Sequence, residues 1–132
     1  MIEQFTLSTS SRNQLIDITD IVSDYVQRSG VRSGICVVYT PHTTAAITIN
    51  ENADPSVKSD IIRKLADTFP QNDNYAHSEG NSDAHLKSSV IGCSQTLLIK
   101  DGSLLLGTWQ GIYFCEFDGP RRRQYFVKVI PG

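Results

Sequence analysis

After residue 90 the chain is a nearly unbroken series of strand-like runs, and this constrains the fold more than any other feature. "QTLLIK" and "SLLLGTW" flank Asp101-Gly102, a pair that supplies the positive φ angles of a tight I′ hairpin turn. "GIYFCEF", a turn at "DGP", and "QYFVKVIP" follow and read as a meander. Too few helical segments lie between these strands to make parallel crossovers, so the sheets must be largely antiparallel.

The first ninety residues mix periods. "IEQFTLST" and "RNQLIDI" alternate and could pair as a hairpin across "SSRN". In "TDIVSDYVQRSG", Ile21, Val22, Tyr25 and Val26 share one helical face, with Thr19 able to cap and Gly30 to terminate. "GICVVYT" is a β-branched run expected to be a buried strand, with "TTAAITIN" as its sheet neighbour. Asp54 as N-cap and Pro55 at the first helical position open a helix that Pro70 ends. Strands and helices followed by a block of strands predict one α+β domain over residues 1–132. Its architecture is an antiparallel β-sandwich with two or three helices packed against it.

A net charge of −2 over 132 residues shows no basic excess, so nucleic acid and anionic membrane are not expected partners. No run approaches the ~20 apolar residues of a membrane span, and the N-terminus lacks a signal-peptide pattern, so a cytoplasmic location is expected. Cys36, Cys93 and Cys115 are odd in number and sit among apolar or small residues, which predicts buried free thiols.

Chemistry concentrates around the three histidines. His77 and His85 lie in "YAHSEGNSDAHLKSS", and His42 follows Pro41 at the mouth of a strand. On one continuous helix His77 and His85 would stand ~12 Å apart, too far to share an ion. The "EGN" bend could fold His77 back towards His85. If His42 arrives at the same place, three imidazoles form a set suited to Zn²⁺, with Glu79 and Asp83 as orienting or acid/base groups. The spacing matches no standard zinc signature, and solvated or structural histidines are the competing account, which spacing alone favours.

Other residues point to an anion. Asn81 opens a helix N-terminus, Thr43 and Thr44 supply hydroxyls, and "PRRR" places Arg121, Arg122 and Arg123 after a turn. A solvated surface cluster is the competing account of those arginines, and strand alternation can point only some of them at one pocket. Trp109, between two glycines, either stacks on a flat heterocycle or closes a hydrophobic corner.

"HTTAAITINENADP", "YAHSEGNSDAHLKSS" and "LLLGTWQGIYFCEFDGPRRR" together resemble the YjbQ family of small proteins, known as secondary thiamine-phosphate synthases. That resemblance implies a YjbQ-like α+β subunit in a homotrimer, with a divalent metal, zinc foremost, on His42, His77 and His85. It also implies a metal-dependent transferase joining hydroxymethylpyrimidine diphosphate to thiazole phosphate. A small phosphorylated heterocycle would then meet Thr43, Thr44, Asn81, Trp109, Arg121 and Arg122, with Glu79 and Asp83 as catalytic groups. The alternatives are a metal-dependent hydrolase of a phosphorylated metabolite and a non-catalytic ligand-binding trimer.

Overall fold

In chain order the elements are β1 (Ile2–Ser8), β2 (Gln14–Asp17), α1 (Thr19–Ser29), β3 (Ser33–Tyr39), β4 (Ala45–Glu51), α2 (Pro55–Thr68), α3 (Ser82–Ile91), β5 (Ser94–Lys100), β6 (Ser103–Leu104), β7 (Gln110–Glu116) and β8 (Arg122–Pro131). The computed structural model describes residues 2–132. The strands form two antiparallel sheets, ordered β1-β8-β3-β5-β6 and β2-β7-β4, so the predicted α+β sandwich is present.

Three layers follow from which residues each strand buries. Val38, Leu97, Ile99, Tyr125 and Val127 of the larger sheet pack on Ile47, Ile112 and Phe114 of the smaller one, and Val22 and Val26 of α1 join them. The opposite face of the smaller sheet, with Leu15, Ala46, Tyr113 and Cys115, carries Ala84 of α3 and Ile61 and Leu65 of α2. The smaller sheet is therefore the middle layer. Its central strand β7 is buried from Gly111 to Glu116, which is why "GIYFCEF" runs apolar on both faces instead of alternating.

This layering corrects three expected pairings. β1 pairs with β8 and β2 with β7, so the two do not form a hairpin. Ile16 and Leu15 face different cores, which requires β2 in the middle layer, while β1 belongs to an outer sheet. β4 pairs with β7 and not with β3, because Ala45 and Ile47 face one core while Ala46 faces the other. Nor do β7 and β8 continue a meander, since the "DGP" turn carries the chain from the middle sheet to the outer one.

Local signals held elsewhere. Asp101 and Gly102 have φ of 52° and 81°, as a I′ turn requires, and join β5 to β6. Asp54 Oδ1 accepts from the Ser56 amide at 2.9 Å, and α2 ends before Pro70. At α1, Gly30 closes the helix in the left-handed conformation, but Thr19 is its first residue and not its cap. Asp17 instead accepts the Thr19 amide at 2.9 Å. Cys36 and Cys115 are buried thiols as expected, whereas Cys93 is exposed.

Candidate functional site

Four segments meet at one end of the sandwich. The β3–β4 connection brings His42, Thr43 and Thr44, and the α2–α3 connection brings His77 and Glu79. The start of α3 adds Asn81 and His85, and the β7–β8 turn with the first residues of β8 adds Asp118, Arg121 and Arg123. Together they line an open cleft of about 450 Å³. The bend predicted at "EGN" is made by Gly80 at φ 80°, a left-handed value that favours glycine. It brings the His77 and His85 rings to 5.6 Å between centroids, nearly perpendicular.

Beneath the cleft lies a buried ionic network. Glu116 is fully buried, and Arg123 Nε donates to its Oε1 at 2.8 Å while Nη2 of the same arginine donates to its Oε2. Thr9 Oγ1 and the Asp118 amide complete its partners at 2.8 and 2.9 Å. Burial pushes the Glu116 pKa up, but the bonds from Arg123, the Asp118 amide and Thr9 outweigh it and hold the carboxyl below its ordinary range. Arg123 Nη2 also donates to Thr44 Oγ1 at 2.8 Å, so this arginine ties the two sheets and the cleft wall together.

Asp118 holds the other half. Its Oδ1 accepts from Arg12 Nη1 at 3.3 Å, and its Oδ2 from Arg121 Nη2 at 2.8 Å and Asn81 Nδ2 at 2.9 Å. Asn81 is thus the N-cap residue of α3, but its amide bonds to Asp118 and not to the helix. Asp83, in the first turn of α3, is buried, with Oδ1 on Arg12 Nη2 and Oδ2 on Lys87 Nζ, both at 3.1 Å. It stands behind the cleft and not among its lining residues.

Of the expected site residues, the cleft therefore collects His42, His77, His85, Thr43, Thr44, Glu79, Asn81 and Arg121. It does not collect Asp83, Trp109 or Arg122. Trp109, 61% exposed, sits in the β6–β7 connection. Arg122 is exposed and, by strand alternation, points away from the face that buries Arg123. Arg12, Lys87, Glu116 and Asp118 escaped the selection of site residues, and Arg123, one of the three arginines noted after the turn, was passed over in favour of Arg121 and Arg122. Glu116 carried a usable signal, because a carboxylate inside an apolar strand demands a buried cation.

The imidazoles do not combine as a three-ligand set. His42 Nε2 accepts the Gln124 backbone N–H at 2.9 Å, which spends the single lone pair a neutral imidazole offers. Among the described residues no three His, Cys, Asp or Glu side chains are grouped so as to hold a metal ion.

The match to known proteins spans the whole chain. A family model described as UPF0047 protein YjbQ-like matches residues 3–132. A UPF0047 protein of Methanocaldococcus jannaschii is 59% identical over 130 residues, covering 98% of this chain and 94% of that one. The UPF0047 protein YugU of Bacillus subtilis is 49% identical over 131 residues, covering 98% and 99%. Among solved structures, a YjbQ/UPF0047 family protein of Clostridium acetobutylicum superposes with a TM-score of 0.95 at 56% identity, covering 97% of this chain and 99% of that one. A protein of Sulfolobus solfataricus, described as of unknown function, gives 0.96 at 32% identity, covering 100% and 97%.

None of these names carries a reaction. The expected metal-dependent transferase with thiamine-phosphate synthase activity is overturned on both counts: the relatives supply no such activity, and the side chains supply no three-ligand metal group. The metal-dependent hydrolase falls with it, for the second reason.

Proposed function

The chain belongs to the UPF0047 YjbQ-like family, and from the cleft itself we propose that the protein binds a small molecule bearing a phosphate group. One observation carries this reading: the network under the cleft sets four cations, Arg12, Lys87, Arg121 and Arg123, against three carboxylates, Asp83, Glu116 and Asp118. Glu79 on the cleft rim is exposed and pairs with His77, not with these cations, so the excess in the network is left for an anion at the cleft to balance. Arg121 is the group that meets it, because its side chain is 51% exposed and its Nη1 has no partner among the described residues. Asp118 takes its Nε and Nη2 through the carbonyl and the carboxylate, which holds the guanidinium in place. Thr43, exposed at the rim, adds a hydroxyl donor. Glu79, 70% exposed, lies 3.8 Å from His77 and offsets that ring's charge when it is protonated.

A second hollow of about 400 Å³ shares His77 and His85 with the cleft and is otherwise lined by Tyr75, Ala76, Ser82 and Leu86. That mostly apolar extension suits the ring of a phosphorylated heterocycle. Calorimetric titration with inorganic phosphate and with phenyl phosphate tests the reading. Both ligands are expected to bind the wild type, phenyl phosphate more tightly, and Arg121→Ala to weaken both about tenfold or more. Equal affinity in the variant, or no binding to the wild type, would remove it.

Self-association is proposed through the outer face of the larger sheet. No helix among the described residues covers this face: Ile35 lies between Leu98 and Ile130, Tyr39 lies beside Phe126, and the Leu105 amide bonds to the Leu98 carbonyl. Leu98, Leu105, Tyr39 and Ile130 are all exposed large hydrophobics, a contiguous patch of the kind that marks an interface. The resemblance set out above implies three copies. Sedimentation equilibrium should give a trimer for the wild type and a monomer for Leu98→Lys; a monomeric wild type would end this proposal.

A further inference from the structure

We infer that His42 is a hydrogen-bond donor to the ligand's anionic oxygen, locked in one tautomer by the backbone of β8, and not a metal ligand. The inference deepens the phosphate-binding reading and rests on it for the identity of the acceptor. The tautomer itself rests on geometry alone. An imidazole nitrogen that accepts the Gln124 N–H at 2.9 Å cannot carry a hydrogen, so in the neutral ring the hydrogen must sit on Nδ1. Nδ1 has no partner among the described residues, and the ring lines the cleft. Burial first, then the neighbouring Arg123 and Arg121, favour the uncharged ring, with Glu116 opposing. Gln124 is itself fixed on both sides of its peptide, since its carbonyl accepts from Thr40 Oγ1 at 2.9 Å. The donor is therefore pre-oriented before any ligand arrives, which lowers the cost of binding.

Free histidine prefers the opposite tautomer, with hydrogen on Nε2, so the assignment has a signature of its own. A long-range proton–nitrogen correlation spectrum of protein with isotope-labelled histidine, recorded at mildly alkaline pH without ligand, should show His42 with Nδ1 protonated. Nε2 protonation would overturn the inference. Binding of inorganic phosphate then tests the role. His42→Asn, which keeps an N–H near the Nδ1 position, should bind within a fewfold of wild type, and His42→Phe about tenfold more weakly. Equal loss in both variants would overturn the donor role. A zinc titration in which the His42 ring nitrogens respond and His42→Phe abolishes binding would overturn the exclusion of a metal ligand. The spectrum needs no ligand, so it decides the tautomer even if phosphate fails to bind; that failure would count against the cleft reading instead.

Discussion

Arg123→Met is expected to destabilise the protein by about 3–5 kcal/mol, because it leaves the Glu116 carboxylate buried without its counter-ion. The pair spans the sandwich: Glu116 ends β7 in the middle sheet and Arg123 is the second residue of β8 in the outer one. Losing the arginine also releases Thr44 from the cleft wall, so phosphate affinity should fall together with stability. The double variant Arg123→Met, Glu116→Leu should recover much of the stability, since a buried pair replaced by apolar side chains of similar volume is often neutral. It should not recover binding. Urea unfolding of the three proteins checks this, and a single variant as stable as the wild type would show that the pair contributes nothing. The pH dependence has a fixed sign. Arg123, the Asp118 amide and Thr9 hold the folded pKa of Glu116 below the ordinary glutamate value, so its contribution is present above that ordinary value and is lost as pH falls through the folded pKa.

Asp83→Ala is expected to cost a similar amount, about 3–5 kcal/mol, for a related reason. Lys87 is buried with its ammonium between Asp83 and Asn13, and after the substitution it keeps no carboxylate, only the neutral Asn13 oxygen and the Phe117 ring 5.9 Å away. Arg12 loses one of its two carboxylates and keeps Asp118. The early turn of α3, which carries His85, would then be held less firmly against the β1–β2 connection. Glu79→Gln is the contrasting control, because its exposed side chain makes only a 3.8 Å contact with His77 and its loss should change stability by less than about 0.5 kcal/mol. If instead Asp83→Ala leaves stability within experimental error and Glu79→Gln does not, the assignment of Asp83 to the scaffold is wrong.

These two carboxylates show how far local sequence reaches. Glu79 and Asp83 looked equivalent in "HSEGNSDAH", four residues apart beside the same histidines. The helix that begins after Asn81 turns Asp83 inward onto Arg12 and Lys87 and leaves Glu79 on the rim. The arginines divide in the same way: alternation in β8 sends Arg123 to the core side and Arg122 outward, while Arg121 stays in the turn at the cleft. Arg12, more than a hundred residues from its partner Asp118, left no local trace at all.

What the sequence by itself determined is the set of decisions made within a few residues. The I′ turn at Asp101-Gly102, the Asp54 cap before Pro55, the Gly30 stop and the Gly80 bend each follow from a backbone or side-chain preference that needs no distant partner. The α+β class and the antiparallel strands follow from the order of periods along the chain. Only the tertiary structure decided which sheet each strand joins, because β2, β4 and β7 must bury both faces and so must occupy the middle layer. It also decided that His42 reaches the cleft with its Nε2 lone pair already spent on Gln124, which lies 82 positions away. A lone pair's partner is a matter of long-range register, and the residue types alone carry no information about it.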